Sequence, residues 1–485
     1  METLRFRESA RAIPPTDSAD MPPSQHMPRM ISTVVGPGSD NYTENGVVRN
    51  IESSLSSNRK STYRSPSNGD NTDELAGTPK HCSVFVAGSV AIDLACDYAT
   101  SDVAKSSPLM HTSNRASIHQ SLGGVGHNVA RAVQVLGSSV QLCSVIGKDL
   151  SGSAVMDALS TEGLTTQGIK RLDGARTAQY VAVNDANKDL VMAMADMNIL
   201  ESVASNAAAV LSPIANIFAH MWHEQMIEQK PSHLVLDANW LPDLLAMWLK
   251  TARTFPCQVY FEPVSTVKGA RLFQNAQSGS LPVYPEPAVH VTTPNSFELD
   301  AMYNAARAQG YFERNDWWQV IDALGIPSSG ARTQLALATS NSLVDAGIPQ
   351  KSIQLLPFIP CVLTKLGREG VLMTQIIPAG DARLNEGAYA PYIISRCRNQ
   401  KEETNKVGGL YMRLFPPVQM LKDEEILSVN GVGDTFLGTI VAGLDRKGPT
   451  SRIEDLVDTA QKAAVMTLRS REAVAPEIAA LKNLL

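Results

Sequence analysis

Ser428-Val429-Asn430-Gly431-Val432-Gly433-Asp434-Thr435-Phe436-Leu437-Gly438, near the C-terminal end, is the stretch on which the reading of this chain turns. Two glycines bracket a small apolar residue, an acid follows at once, and the apolar run from Phe436 to Leu444 reads as a helix. A helix start presents unpaired backbone N–H groups and the positive end of the dipole to an anion. Glycine lets the backbone approach that anion closely. A carboxylate at the same spot repels negative charge and is useful mainly as a base for a nearby hydroxyl. Together these features point to phosphoryl transfer. Taken alone, the stretch also fits a tight turn with an aspartate cap, so the remainder of the chain has to decide.

At 485 residues the chain has room for about two to four domains. Its 44% hydrophobic content is ample for a large core. A net charge of −6 without a long basic block gives no support for nucleic acid or an acidic membrane surface as partner, and a small molecule fits better. Cys82, Cys96, Cys143, Cys257, Cys361 and Cys397 are widely spaced and form no Cys-x-x-Cys pair, so neither a zinc site nor a disulfide framework is indicated. No apolar run reaches the roughly 18 residues of a membrane span. Arg5, Arg7 and Arg11 would suit a mitochondrial transit peptide, but Glu2, Glu8, Asp17 and Asp20 argue against one, and a cytoplasmic protein is expected.

Residues 1–80 are rich in Ser, Pro, Asn, Asp and Gly, a composition expected to stay disordered. Order begins at Ser83-Val84-Phe85-Val86-Ala87-Gly88, which reads as a buried parallel strand. From there strand-like and helix-like segments alternate, the pattern of an α/β fold with a parallel sheet. Further strands are expected at 140–146, 215–219, 233–237, 257–261, 289–292 and 361–365. Helices are expected at 126–136, 151–163, 201–211, 242–252, 296–309, 315–324, 332–346, 432–445 and 452–470. Arg176 to Met194 alternates about Asn184–Asp189 as a hairpin does. With the irregular, polar stretch from Leu94 to Gln120 it would make a small sheet over a pocket. The segments 275–288 and 378–408 read as surface loops.

A second anchor is Ser121-Leu122-Gly123-Gly124-Val125-Gly126-His127-Asn128-Val129-Ala130-Arg131-Ala132, followed by Leu136-Gly137 and Gly147-Lys148-Asp149. Paired glycines entering a helix let a ligand pack on bare backbone, and Asn128, one turn in, can donate and accept hydrogen bonds. No Gly-Lys-Ser/Thr follows, which excludes a Walker A loop. No clear strand precedes, which argues against a dinucleotide fingerprint. A neutral, hydroxylated ligand suits the site.

Gly123-Gly124-x-x-x-Asn128-x-Ala130, with Leu136-Gly137 and Gly147-x-Asp149 downstream, resembles the N-terminal signature of the ribokinase (PfkB) family of carbohydrate and nucleoside kinases. Asn430-Gly431-Val432-Gly433-Asp434-Thr435-Phe436 resembles its C-terminal signature. The resemblance covers roughly residues 81–480. Within the family, the Gly123–Ala130 wording, the Thr177–Asp196 hairpin and Phe261-Glu262-Pro263-Val264-Ser265 are similar to pseudouridine kinases of the fungal type.

The resemblance implies a three-layer α/β/α sandwich over residues 81–485, with a mainly parallel sheet and a small β-rich lid from about 94–120 and 172–197. It implies Asp434 as catalytic base and the N–H groups of Gly431, Val432 and Gly433 as anion hole. Asp93, Gly123, Gly124 and Asn128 would bind the acceptor, with Tyr180 and Asp196 as lid contacts. Lys365, Gly367, Gly370 and Asn430 would lie at the nucleotide, and Asn295 and Glu298 would hold Mg²⁺, largely through water. Asn295-Ser296-Phe297-Glu298 reads equally well as a helix capping pattern, and Lys365 stands where threonine is common. Val432 replaces the usual alanine of the anion loop.

The implied activity is ATP-dependent phosphorylation of a nucleoside 5′-hydroxyl, with pseudouridine preferred. A kinase for ribose, another sugar or adenosine stays open, as does a catalytically silent nucleoside-binding relative. A monovalent cation and a homodimer are likewise open.

Overall fold

Along the strand Val84–Ala87 (β1) successive side chains enter two different cores. Val84 and Val86 join Val129, Leu142, Phe436 and Ile440, whereas Phe85 and Ala87 join Trp222, Leu234 and Trp248. Strand side chains alternate between faces, so a strand buried on both sides needs a helical layer on each. That arrangement is the α/β/α sandwich. The computed structural model describes residues 81–99, 107–186, 188, 190–201, 213–274, 281–327, 329–397, 406–448 and 450–485. The expected disorder at 1–80 and most of the expected helix at 201–211 lie outside them.

In chain order the strands are β1, β2 (Ala91–Tyr98), β3 (Ala116–Gly123), β4 (Val140–Gly147), β5 (Ile169–Leu172), β6 (Gln179–Asn184) and β7 (Leu190–Asp196). They continue with β8 (His233–Asp237), β9 (Gln258–Glu262), β10 (Val291–Thr292), β11 (Cys361–Lys365), β12 (Val371–Pro378), β13 (Ile393–Arg396) and β14 (Val407–Phe415). The described residues form a large sheet in the order β13-β14-β12-β11-β10-β9-β8-β1-β4-β5. From β5 to β11 all neighbours are parallel. The strands β12, β14 and β13 close that edge antiparallel.

A second sheet, β3-β2-β6-β7, is built from the two stretches assigned to the lid. The irregular reading of 94–120 is corrected here, because its two ends lie in full eight-residue strands, β2 and β3, paired antiparallel from Ala91↔Gly123 to Tyr98↔Ala116. Their side chains are mostly half-buried or exposed, so no apolar alternation marked them.

The expected strand at 215–219 is instead helical, in Pro213–Ile217 and the wider turn Phe218–Trp222. A short apolar run does not distinguish a buried strand from a buried helix. The expected helix at 332–346 is two pieces, Ala331–Ala338 and Asn341–Asp345, the second capped by Ser340. Within 378–408, read as loop, lies the short edge strand β13.

Candidate active site

The helix Val432–Lys447 is buried on all sides from Asp434 to Leu444, so its start is fixed by its packing against the helices Val125–Val135 and Val457–Leu468. Gly431 precedes it with φ 70°, a left-handed conformation that glycine adopts without a Cβ penalty. A Cβ there would overlap the carbonyl oxygen of Ala473. No side chain caps this turn, so its leading N–H groups remain available to an anion. Arg446 and Lys447 in the last turn complement the opposite end of the dipole.

Asp434 sits in that first turn, 8% exposed, and accepts a 2.8 Å hydrogen bond from Asn128 Nδ2. Burial pushes its carboxyl up to about 7 and the nearby Glu262 adds to the rise, while the Asn128 bond and Lys365 oppose it. A base poised near neutrality is what proton abstraction from a hydroxyl requires. The Lys365 ammonium lies beside the same turn, where a Cβ on Gly433 would come within 2.8 Å of Nζ. Nζ donates to Glu262 Oε1 at 3.2 Å, and Thr293 Oγ1 donates to Glu262 Oε2. Burial works against the Lys365 charge, but Glu262, Glu298 and Asp434 outweigh it and hold its pKa above the ordinary value. This uncapped turn therefore carries an ammonium and a carboxylate side by side.

A cavity of about 660 Å³ opens from this turn. It is lined by the charged residues Asp434, Lys365, Glu262 and Glu298 and by apolar residues such as Val418, Leu421 and Leu468. Gly367, Gly370, Val432 and Gly433 also line it. Asn430 is exposed, its N–H on Ser428 Oγ, and is not among the residues lining the cavity. Asn295 and Glu298 form a capping box: Asn295 Oδ1 accepts from the N–H groups of Phe297 and Glu298, and Glu298 Oε2 accepts from that of Asn295. Burial raises the Glu298 carboxyl and Glu262 adds to this, against Lys365. The capping reading thus holds, and both residues also line the cavity.

The acceptor candidates lie where the two sheets meet. Asp93 is on β2, in the small sheet rather than at the end of the first strand of the large one, opposite Ser121 on β3 and Tyr180 on β6. Burial pushes its carboxyl up to about 6, with His127 pulling the other way. A Cβ on Gly123 would collide with the Asp93 carboxylate, so this close approach needs glycine. Gly123-Gly124 does follow a strand, β3, contrary to the sequence reading, but that strand belongs to the small sheet. Gly124 is the cap residue of the helix carrying Asn128. Asp196 is on β7 of the same sheet, opposite Gln179, with its carboxylate on Arg176 at 2.7 Å and on Asn198.

Residues 83–249 match the family model described as pfkB family carbohydrate kinase. Over that segment the chain is similar to pfkB-family carbohydrate kinases. A pseudouridine-metabolizing bifunctional protein of Schizosaccharomyces pombe is 28% identical over 409 residues, which cover 83% of this chain and 48% of that protein. The chain thus spans about half the length of that relative. A pseudouridine kinase of Arabidopsis thaliana is 23% identical over 363 residues, 73% of this chain and 81% of the relative. Among solved structures, a ribokinase of Cryptococcus neoformans in complex with ADP aligns over 83% of this chain and all of its own, with TM-score 0.51 and 16% identity. It shares the ribokinase-like fold.

Two buried acids were given no role in the sequence reading, Glu262 being quoted there only within Phe261–Ser265. Glu262 ends β9 and holds Lys365. Asp237 ends β8 and accepts from the Ser89 N–H, the Ser89 hydroxyl and the Asn239 N–H. Each is an acid closing an apolar strand, at the end of a parallel sheet where ligands bind, and that was the available signal.

Proposed function

We propose that this protein is an ATP-dependent kinase that phosphorylates the 5′-hydroxyl of a nucleoside, with pseudouridine as preferred acceptor. The observation that carries the reading is Asp434, buried in the first turn of an uncapped helix and bonded to Asn128. The acceptor hydroxyl gives its proton to Asp434 as its oxygen attacks the γ-phosphorus. The bond from that phosphorus to the bridging oxygen breaks, and ADP leaves. Negative charge on the transferring group meets the N–H groups of Gly431, Val432 and Gly433 and the Lys365 ammonium.

The cavity suits ATP, since its lining combines charged residues that would meet the phosphates with apolar residues that would meet the base. Glu262 and Glu298 place carboxylates among those charged residues, an oxygen donor set suited to Mg²⁺. Asn295 and Glu298 are the residues that would hold the ion, through water. When bound, it neutralises phosphate charge. On the acceptor side, Asp93 and Asn128 offer an acid and an amide to sugar hydroxyls. The small sheet, closing over them, would exclude water and limit ATP hydrolysis. Two relatives that cover most of this chain carry pseudouridine in their names, which supports the choice of acceptor.

The test is ADP release with pseudouridine, uridine, adenosine and ribose in parallel. The largest kcat/KM is expected on pseudouridine. Turnover of ribose without turnover of pseudouridine overturns the acceptor assignment. Nucleoside binding with no turnover of any acceptor overturns the kinase.

A further inference from the structure

His127 has no part in the chemistry above, yet it is only 3% exposed and both ring nitrogens have partners. Its Nε2 lies 2.8 Å from Glu162 Oε2, and its Nδ1 lies 3.3 Å from Asn128 Oδ1. Its own backbone N–H is tied to the Ser89 carbonyl at 2.9 Å. Glu162 caps the C-terminal end of the helix Leu150–Thr161 and is itself held by Arg131, which donates to its carbonyl at 3.2 Å and approaches its carboxylate at 3.9 Å. The result is a chain of contacts, Glu162 to His127 to Asn128 to Asp434, across three helices.

The amide of Asn128 has two faces of opposite character. Turned by half a rotation it would aim its oxygen at the Asp434 carboxylate and lose the bond that opposes the rise in its pKa. In the orientation seen, Nδ2 donates to Asp434, so Oδ1 must be met by a donor. With a proton on each ring nitrogen, Nδ1 donates to Asn128 Oδ1 while Nε2 donates to Glu162 Oε2; a ring with a single proton serves only one of the two. We propose that His127 is a positioning residue: anchored by Glu162, it locks the Asn128 amide so that Nδ2 faces Asp434 and the acceptor hydroxyl is aligned on its base. The inference rests on the kinase reading.

The two nitrogens can be tested separately, because an asparagine amide nitrogen stands in for Nδ1 and a glutamine amide nitrogen for Nε2. His127→Gln keeps a donor for Glu162 and loses the one for Asn128. It is expected to lower kcat by about ten- to a hundredfold with KM for ATP unchanged. His127→Asn is expected to recover most of that loss. In an Asn128→Ala background His127→Gln should cost nothing further, since the residue acts through Asn128. Three results overturn the proposal: His127→Gln at wild-type kcat, equal losses in kcat and Tm for both substitutions, or additive losses in the double variant. If the unmodified protein phosphorylates no acceptor, the kinase reading falls and this inference with it. If it turns over normally and His127→Gln does too, only this inference falls.

Discussion

Asn128 Nδ2 and Asp434 Oδ2 lie 2.8 Å apart although 306 residues separate them in the chain. The bond joins the two glycine-rich segments into one site. It also tunes the Asp434 carboxyl, because burial and Glu262 raise it while this hydrogen bond and Lys365 draw it back. Without such partners a carboxylate so deeply buried would stay protonated at neutral pH and could take no proton from a hydroxyl.

Asp434→Asn therefore removes the proposed base while keeping the shape. We expect kcat to fall by about 10²–10⁴-fold, with a native circular dichroism spectrum and acceptor binding retained in calorimetry. A variant that keeps more than a tenth of the wild-type kcat would show that the proton leaves by another route.

The raised Asp434 pKa makes activity and stability run in opposite directions with pH. The folded value, about 7, lies above the ordinary aspartate value of 3.8, so between these the folded state binds more protons than the unfolded one. Unfolding free energy then falls as pH rises. The contribution is fully present below about 4 and lost as pH passes about 7. Asp434→Asn should raise Tm at pH 8 and leave it nearly unchanged at pH 4, while in the wild type kcat/KM for the acceptor climbs through about pH 7 as the base ionises. Differential scanning calorimetry and a pH–rate profile read the two halves independently.

Much of this site is legible in the order of residues, because glycines and an acid at a helix start have few other uses when a second glycine pair and an asparagine stand at the far end of the chain. The pairing of Asn128 with Asp434 is not legible, since it depends on how the helices Val125–Val135 and Val432–Lys447 pack. Glu262 stands in the sequence only as part of the stretch Phe261–Ser265, with no role attached; its pairing emerges only when β9 and β11 bring it to Lys365. The strands β12 and β14 escaped for a different reason: the α/β alternation that marks parallel strands stops at β11, and hairpin-like neighbours form the edge.

Lys365 and Glu262 form an ion pair whose carboxylate is 4% exposed. Lys365→Met leaves that charge with Thr293 alone, and breaking a buried pair from one side costs about 3–5 kcal/mol. Urea denaturation should show this loss, with part of it restored in Lys365→Met/Glu262→Gln. The same single substitution removes a charge that lowers the Asp434 pKa, so the acid limb of its residual activity should move to higher pH. An unshifted limb would mean that Lys365 does not act on the base.

Gly123→Ala places a methyl group against the Asp93 carboxylate. Since Asp93 is assigned to the acceptor and not to the nucleotide, KM for the nucleoside should rise about tenfold or more while KM for ATP stays constant. A rise in both, or in ATP alone, would move Asp93 out of the acceptor site.

Gly431 and Gly433 flank one residue, yet their substitutions should fail differently. A Cβ on Gly431 meets the backbone oxygen of Ala473 at a φ of 70°, and backbone cannot move aside without disturbing the buried helix that starts there. Gly431→Ala should lower Tm as well as activity. On Gly433 the nearest atom is Lys365 Nζ at 2.8 Å, the end of a flexible side chain. The lysine end can give without moving backbone, so Gly433→Ala should lower Tm less than Gly431→Ala, by whatever the Lys365–Glu262 pair loses, yet lose kcat, because the methyl group stands where the anion comes closest and crowds the cation that meets it. Equal effects of the two on Tm would show that the turn serves the fold alone and that the anion is bound elsewhere.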